Sequence, residues 1–128
     1  IHRLHSEKGT AISAAFKRPS EADSSQWVVG SRFTSAFAKP QPVELPLPTA
    51  IDLGHLYAAL LAPLLPLPAR AGETLAAQVA RCETYLRLRR QIDQLTARLH
   101  REKQFNRKVE INQQIKPLQA EAALLTMA

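Results

Sequence analysis

The sequence predicts an α+β fold: short antiparallel strands, a proline-bounded helix, and a long C-terminal helical arm of coiled-coil character. Three observations carry this. Residues 1–17 alternate loosely, with Ile1, Leu4, Ile12, Ala14 and Phe16, and residues 26–38 add Trp27, Val28, Val29, Phe33 and Phe37. Prolines at 40, 42, 46 and 48 on one side, and at 63, 66 and 68 on the other, bracket an apolar segment. From Thr74 onward, apolar residues recur at steps of three and four. The expected organisation is a small α+β domain over 1–62, a proline-rich linker over 63–73 and a helical arm over 74–128.

The first two strands are expected at roughly 1–5 and 10–16, joined by a turn at "SEKG". The opening "IHRLH" reads as the middle of a strand and does not begin with methionine, so further chain is expected before it. "KRPSEADSS" (17–25) is a loop. Trp27, Val28, Val29 and Phe33 suggest a third strand with Gly30 as a bulge or turn. Phe33 and Phe37 are four apart, which leaves a short helix as the alternative. Residues 39–48 should be extended, because each proline fixes its φ and removes a donor. A helix over 49–62 follows, with Thr49 and Asp52 as a capping box and Pro63 as its stop. The sheet is expected to lean on this helix through Phe16, Trp27, Leu56 and Leu60.

The arm carries three apolar frames. Leu75, Val79, Cys82 and Leu86 form the first. Leu88, Ile92, Leu95, Leu99 and, past Glu102, Val109 form the second. Ile111, Ile115, Leu118, Ala122 and Leu125 form the third. The packing seam is therefore expected at Leu88, Ile92, Leu95, Leu99, Val109, Ile115 and Leu118. One geometry is a continuous helix that pairs with another chain; the other is an antiparallel hairpin folding back around 100–107. No glycine marks such a turn, which favours the continuous arm. Pro117 should kink or split the helix.

Net charge is +6, and Arg81–Lys108 accounts for it with nine Lys/Arg against three acids. Within that segment, "REKQFNRKVEIN" (101–112) is unusually polar for a helix with an apolar seam. Lys103 and Arg107 are four apart, a like-charge pair that a negatively charged partner would relieve. A polar layer that fixes coiled-coil register is one reading. A docking surface for a partner protein is another. Direct nucleic-acid contact by Arg98, Arg101, Lys103, Arg107 and Lys108 is a third, since phosphate contact needs only Lys and Arg along a face. Phe105 is the one aromatic there, a small stacking platform.

Several chemistries find no support. There is no apolar run long enough to span a membrane. Cys82 is the only cysteine, which rules out an intramolecular disulfide and fits a cytoplasmic location. No Cys/His set has zinc spacing, and no glycine-rich phosphate loop exists, so no cofactor or metal is expected. A metal-dependent nuclease would want an acid two residues before a strand-end lysine. Before Lys17 that position is Ala15.

"EKQFNRKVEIN" resembles a signature near the C-terminus of a bacterial family, the domain of unknown function numbered forty-three ninety-one. "FKRPSEADSSQWVV" and "LPLPTAIDLGHLYAALL" are similar to further parts of it. Together they place the chain in the C-terminal half to two-thirds of that family. Its members often carry the label methyl-accepting chemotaxis protein, which implies a membrane receptor that this sequence does not resemble in architecture. What the resemblance implies is an accessory role beside a helicase and a DNA methyltransferase, in restriction-modification-like or anti-phage systems. The expected function is a non-catalytic interaction module of such an assembly, bound to a protein partner or to itself through the arm. Direct nucleic-acid binding by the basic stripe is the alternative.

Overall fold

The computed structural model describes residues 2–7, 9–39 and 48–127. The fold is α+β. Strands β1 (His2–Ser6), β2 (Gly9–Pro19) and β3 (Trp27–Thr34) form an antiparallel sheet in the order β1-β2-β3. Helix α1 (Leu53–Leu61) runs into a 3-10 turn (Ala62–Leu64), and α2 (Leu75–Arg101) and α3 (Phe105–Thr126) follow. The chain divides into two compact units, Ile1–Pro68 and Ala69–Ala128.

In the first unit, β2 is the central strand and supplies the buried Ala11, Ser13 and Ala14, with Phe33 from β3 also buried. Small side chains on both faces of one strand suit a strand covered on both sides. Ser13 is buried without penalty because its hydroxyl shares a 2.9 Å hydrogen bond with that of Thr34. Gly9 sits at φ +120, and a Cβ there would collide with the Ala38 carbonyl, so only glycine fits the turn. Pairing moves from Ala15–Arg32 to Lys17–Val29, two residues on β2 against three on β3. The extra residue falls at Gly30–Ser31, the bulge that Gly30 suggested. Residues 35–37 are not helical, and Ala38 instead bridges to Thr10.

Tyr57 ties α1 to the sheet. Its hydroxyl donates to the Ala15 carbonyl at 2.7 Å and accepts from the Lys17 N–H at 3.2 Å. Those two groups lie past Ser13, where pairing with β1 ends at His2. Trp27, expected to face the helix, is instead 66% exposed. The helix also starts later than expected. Asp52 is its N-cap, accepting from the His55 N–H at 2.8 Å, and Thr49 lies outside it. Of the proline connector expected over 39–48, Pro40, Pro42 and Pro46 lie outside the described residues. In the stretch expected as a linker over 63–73, Leu65 and Leu67 are buried, so folded structure continues to the end of the first unit.

The second unit is an antiparallel helical hairpin. The fold-back geometry is the one the chain adopts, and the continuous arm is not. Thr74 caps α2 by accepting from the Ala77 N–H at 3.2 Å. The turn is residues 102–104. It needs no glycine because no residue in it takes a positive φ. Glu102 turns extended at φ −71, ψ 135. Its carboxylate then accepts from the N–H groups of Lys103 at 2.8 Å and Gln104 at 2.9 Å, satisfying donors the turn would otherwise leave open. The second and third apolar frames face each other. Leu88 and Ile92 pack with Ile111, Ile115 and Ala122, flanked by Tyr85, Leu95, Leu99, Leu118 and Leu125. Val109 is the exception among the expected seam residues, at 38% exposure. The turn resets the helical phase, and Ile111 takes the inward place. Pro117 does not split α3. The carbonyl it leaves without a helical donor is that of Gln113, a surface residue that water can serve.

Candidate functional site

The signature "REKQFNRKVEIN" is the tip of this hairpin. Arg101 ends α2, Glu102–Gln104 make the turn, and Phe105 begins α3. Of the nine basic residues expected as a stripe along one long helix, five thereby lie at or near the hairpin end, while Arg81, Arg87, Arg89 and Arg90 stay along α2. Arg98, Arg101, Lys103 and Arg107 are exposed and Lys108 is half-buried. Among the described residues, the charged groups of these five make no hydrogen bond or ion pair. Arg98 and Arg101 sit in the last turn of α2, where the helix dipole favours positive charge. Lys103, Arg107 and Lys108 have no such compensation, because they flank the opposite, positive end of α3.

Glu102 is the one acid inside the cluster, and it is half-buried. The Gln104 N–H, then the Lys103 N–H and the charges of Arg107 and Arg98, hold its carboxyl below the ordinary glutamate range, against the opposing effect of burial. Its role is internal: it closes the turn. Phe105 stands among them at 77% exposure. Val109, four residues on, shares its side of α3 and is also exposed. A shallow groove between the helices is lined by Gln91, Gln94, Leu95 and Arg98 of α2 and by Gln114, Pro117 and Leu118 of α3.

The chain matches the domain of unknown function DUF4391 over residues 1–121. It belongs to that family. No curated protein and no solved structure matches it.

The stretch 101–112 therefore has a physical account in this chain: it builds a glycine-free turn and surrounds it with cations that form no ion pair. Not every basic residue of the segment belongs to this site. Arg81 is 9% exposed and forms an ion pair with Glu73 at 2.7 Å. It donates as well to the Leu125 carbonyl at 2.9 Å. Arg70 donates to the carbonyls of Leu124 at 2.9 Å, Leu125 at 3.2 Å and Met127 at 2.7 Å. These two arginines thus satisfy the last carbonyls of α3, a place where the helix dipole favours positive charge. Sequence reading counted Arg81 in the stripe and gave Arg70 no role. The available signal was "RAGE" (70–73), a turn with Gly72 at φ +71 and an Arg and a Glu at its ends.

Other candidate chemistry does not assemble. Among the described residues, no three His, Cys, Asp or Glu side chains come together. Lys17 is exposed, and its N–H is bound by Tyr57. Among the described residues, no helix is long and apolar enough to cross a membrane.

Proposed function

We propose that this chain is a non-catalytic interaction module that engages a negatively charged partner through the tip of its helical hairpin. The observation that carries the reading is the set of five cations at the tip, none of which forms an ion pair among the described residues and only two of which feel the one acid there, Glu102. Charges drawn together at one end of a rigid element repel one another, and an anionic partner removes that cost. The hairpin also uses the arm's apolar seam within the chain, so little of it is left for pairing with a second copy. Self-association through the arm is accordingly the weaker reading. The setting we propose is a cytoplasmic bacterial DNA-processing or anti-phage assembly with a helicase or DNA methyltransferase, which rests on the family resemblance.

The test is retention on immobilised heparin, a generic polyanion, under a rising salt gradient. Wild-type protein should elute later than a variant carrying Lys103→Glu, Arg107→Glu and Lys108→Glu, with both showing the same far-UV spectrum. Coincident elution of the two folded proteins would remove the tip as the anion-binding surface.

A further inference from the structure

We infer that the anion taken by the hairpin tip is single-stranded nucleic acid, with its phosphates on the arginines and lysines and one base stacked on Phe105. This rests on the polyanion reading above and names its ligand. Three features separate this ligand from an acidic protein and from a duplex.

The first is shape. The cations occupy the end of α2, the turn and the first turn of α3, so they surround a convex tip rather than lining one flat face. A flexible strand can follow such a surface, whereas a folded acidic partner would have to present a matching concavity. The second is the poverty of apolar surface. Protein interfaces centre on buried clusters of aromatic and aliphatic anchors. At the tip only Phe105 and Val109 are exposed apolar residues, and Val109 is only 38% exposed. The third is Phe105 itself. It is 77% exposed at the start of α3, with Lys103 and Gln104 before it and Arg107 and Lys108 after it. An aromatic face set among phosphate-binding side chains is the arrangement on which unpaired bases stack. Duplex bases are already stacked on each other and offer Phe105 no free face. Three of the five cations are arginines, whose planar guanidinium can grip a phosphate with two hydrogen bonds.

The experiment titrates full-length protein against a fluorescent single-stranded oligodeoxynucleotide of about 15 nucleotides. The same sequence as duplex and a polyglutamate chain are run alongside, each at several salt concentrations. If all five cations meet phosphates, the logarithm of the single-strand association constant should fall with the logarithm of salt at a slope of about −3.5. The variant with Lys103, Arg107 and Lys108 changed to glutamate should flatten that slope to about −1.5 or less. Phe105→Ala should weaken single-strand binding about tenfold, leave duplex binding unchanged and leave the salt slope intact; Phe105→Trp should restore affinity.

Should polyglutamate bind as well as the oligonucleotide, or Phe105→Ala leave single-strand affinity unchanged, the inference is overturned. The polyanion reading would survive if heparin retention still depended on the tip. Loss of heparin retention by the wild-type protein would end both. Because the three reversed charges could perturb the turn, Lys103→Gln with Arg107→Gln is measured as well. A folded double variant with an unchanged salt slope also overturns the proposal.

Discussion

Arg81 and Glu73 face each other with two hydrogen bonds, Nε to Oε1 at 2.8 Å and Nη2 to Oε2 at 2.7 Å. Their side chains are 7% and 10% exposed. Arg70 closes the same carboxylate from the other side, its N–H donating to Glu73 at 3.0 Å. The Arg81 hydrogen bond first, then the Arg70 N–H and the two guanidinium charges, lower the Glu73 carboxyl from 4.5 to about 2, overcoming the effect of burial. A carboxyl lowered on folding contributes stability that is complete above its unfolded value and is lost as pH falls towards the folded one. The hairpin should therefore hold a constant melting temperature from neutral pH down to about 5 and lose part of it between about 4.5 and 2. Glu73→Gln should lower the melting temperature at neutral pH and remove most of that acid-dependent decline. Thermal melts followed by far-UV circular dichroism across this pH range decide it; parallel curves for the two proteins would show that the pair contributes nothing.

Tyr57 holds the sheet by one atom. Its hydroxyl serves both the Ala15 carbonyl and the Lys17 N–H, beyond the end of β1 pairing. Tyr57→Phe keeps the ring and removes both bonds. It should destabilise the first unit by about 1–2 kcal/mol, the cost of leaving strand groups without a partner at a half-buried place. Denaturant unfolding followed by the fluorescence of Trp27, which lies on β3, reads this unit. An unchanged midpoint would mean that water replaces the hydroxyl at no cost.

Leu95 and Leu99 flank the hairpin core. For a continuous arm, Leu95→Asp with Leu99→Asp would be expected to dissociate an oligomer and leave the helix in place. In the hairpin, the same pair sets two carboxylates against the buried cluster that Leu88, Ile92, Ile111, Ile115 and Ala122 form. The expected cost exceeds about 4 kcal/mol, enough to melt a two-helix unit of this size. Far-UV circular dichroism should show a large loss of helix. A fully helical variant that only changes mass by light scattering would restore the intermolecular arm.

The strands, the bulge at Gly30 and the leucine frames were legible because each depends on local periodicity and local backbone freedom. Even the hairpin was written in the sequence. The jump from the Leu88–Leu99 frame to the Ile111–Leu125 frame marks the turn, and it reads as a stutter only if the helix is assumed to continue. The assumption came from looking for glycine, whereas Glu102 closes the turn with extended backbone and two accepted hydrogen bonds. Val109 was misplaced for the same reason, since extrapolating a helical phase across a turn loses the phase. The tip cations were legible as residues but not as a cluster, because their convergence depends on where the chain reverses. The Arg70–Glu73–Arg81 clamp was hidden more deeply. It acts on carbonyls of residues 124, 125 and 127, more than forty positions away, and nothing in local spacing reports that distance.

Pro117 stands inside α3, where a proline has no N–H for the Gln113 carbonyl. The helix tolerates it because both residues are on the surface and water can reach the freed carbonyl. Tolerance is not neutrality: proline in a helix interior is about 3 kcal/mol less favourable than alanine, and solvation of the carbonyl recovers only part of that. Pro117→Ala should therefore stabilise the hairpin by about 1–3 kcal/mol. Urea unfolding followed by far-UV circular dichroism should show a higher midpoint with an unchanged slope, since the surface exposed on unfolding stays the same. The residue also lines the groove beside Arg98, so the same variant should be titrated with the single-stranded oligonucleotide. Greater stability with unchanged affinity would confine binding to the tip. Greater stability with weaker binding would extend the contact surface along the groove towards Leu95 and Leu118.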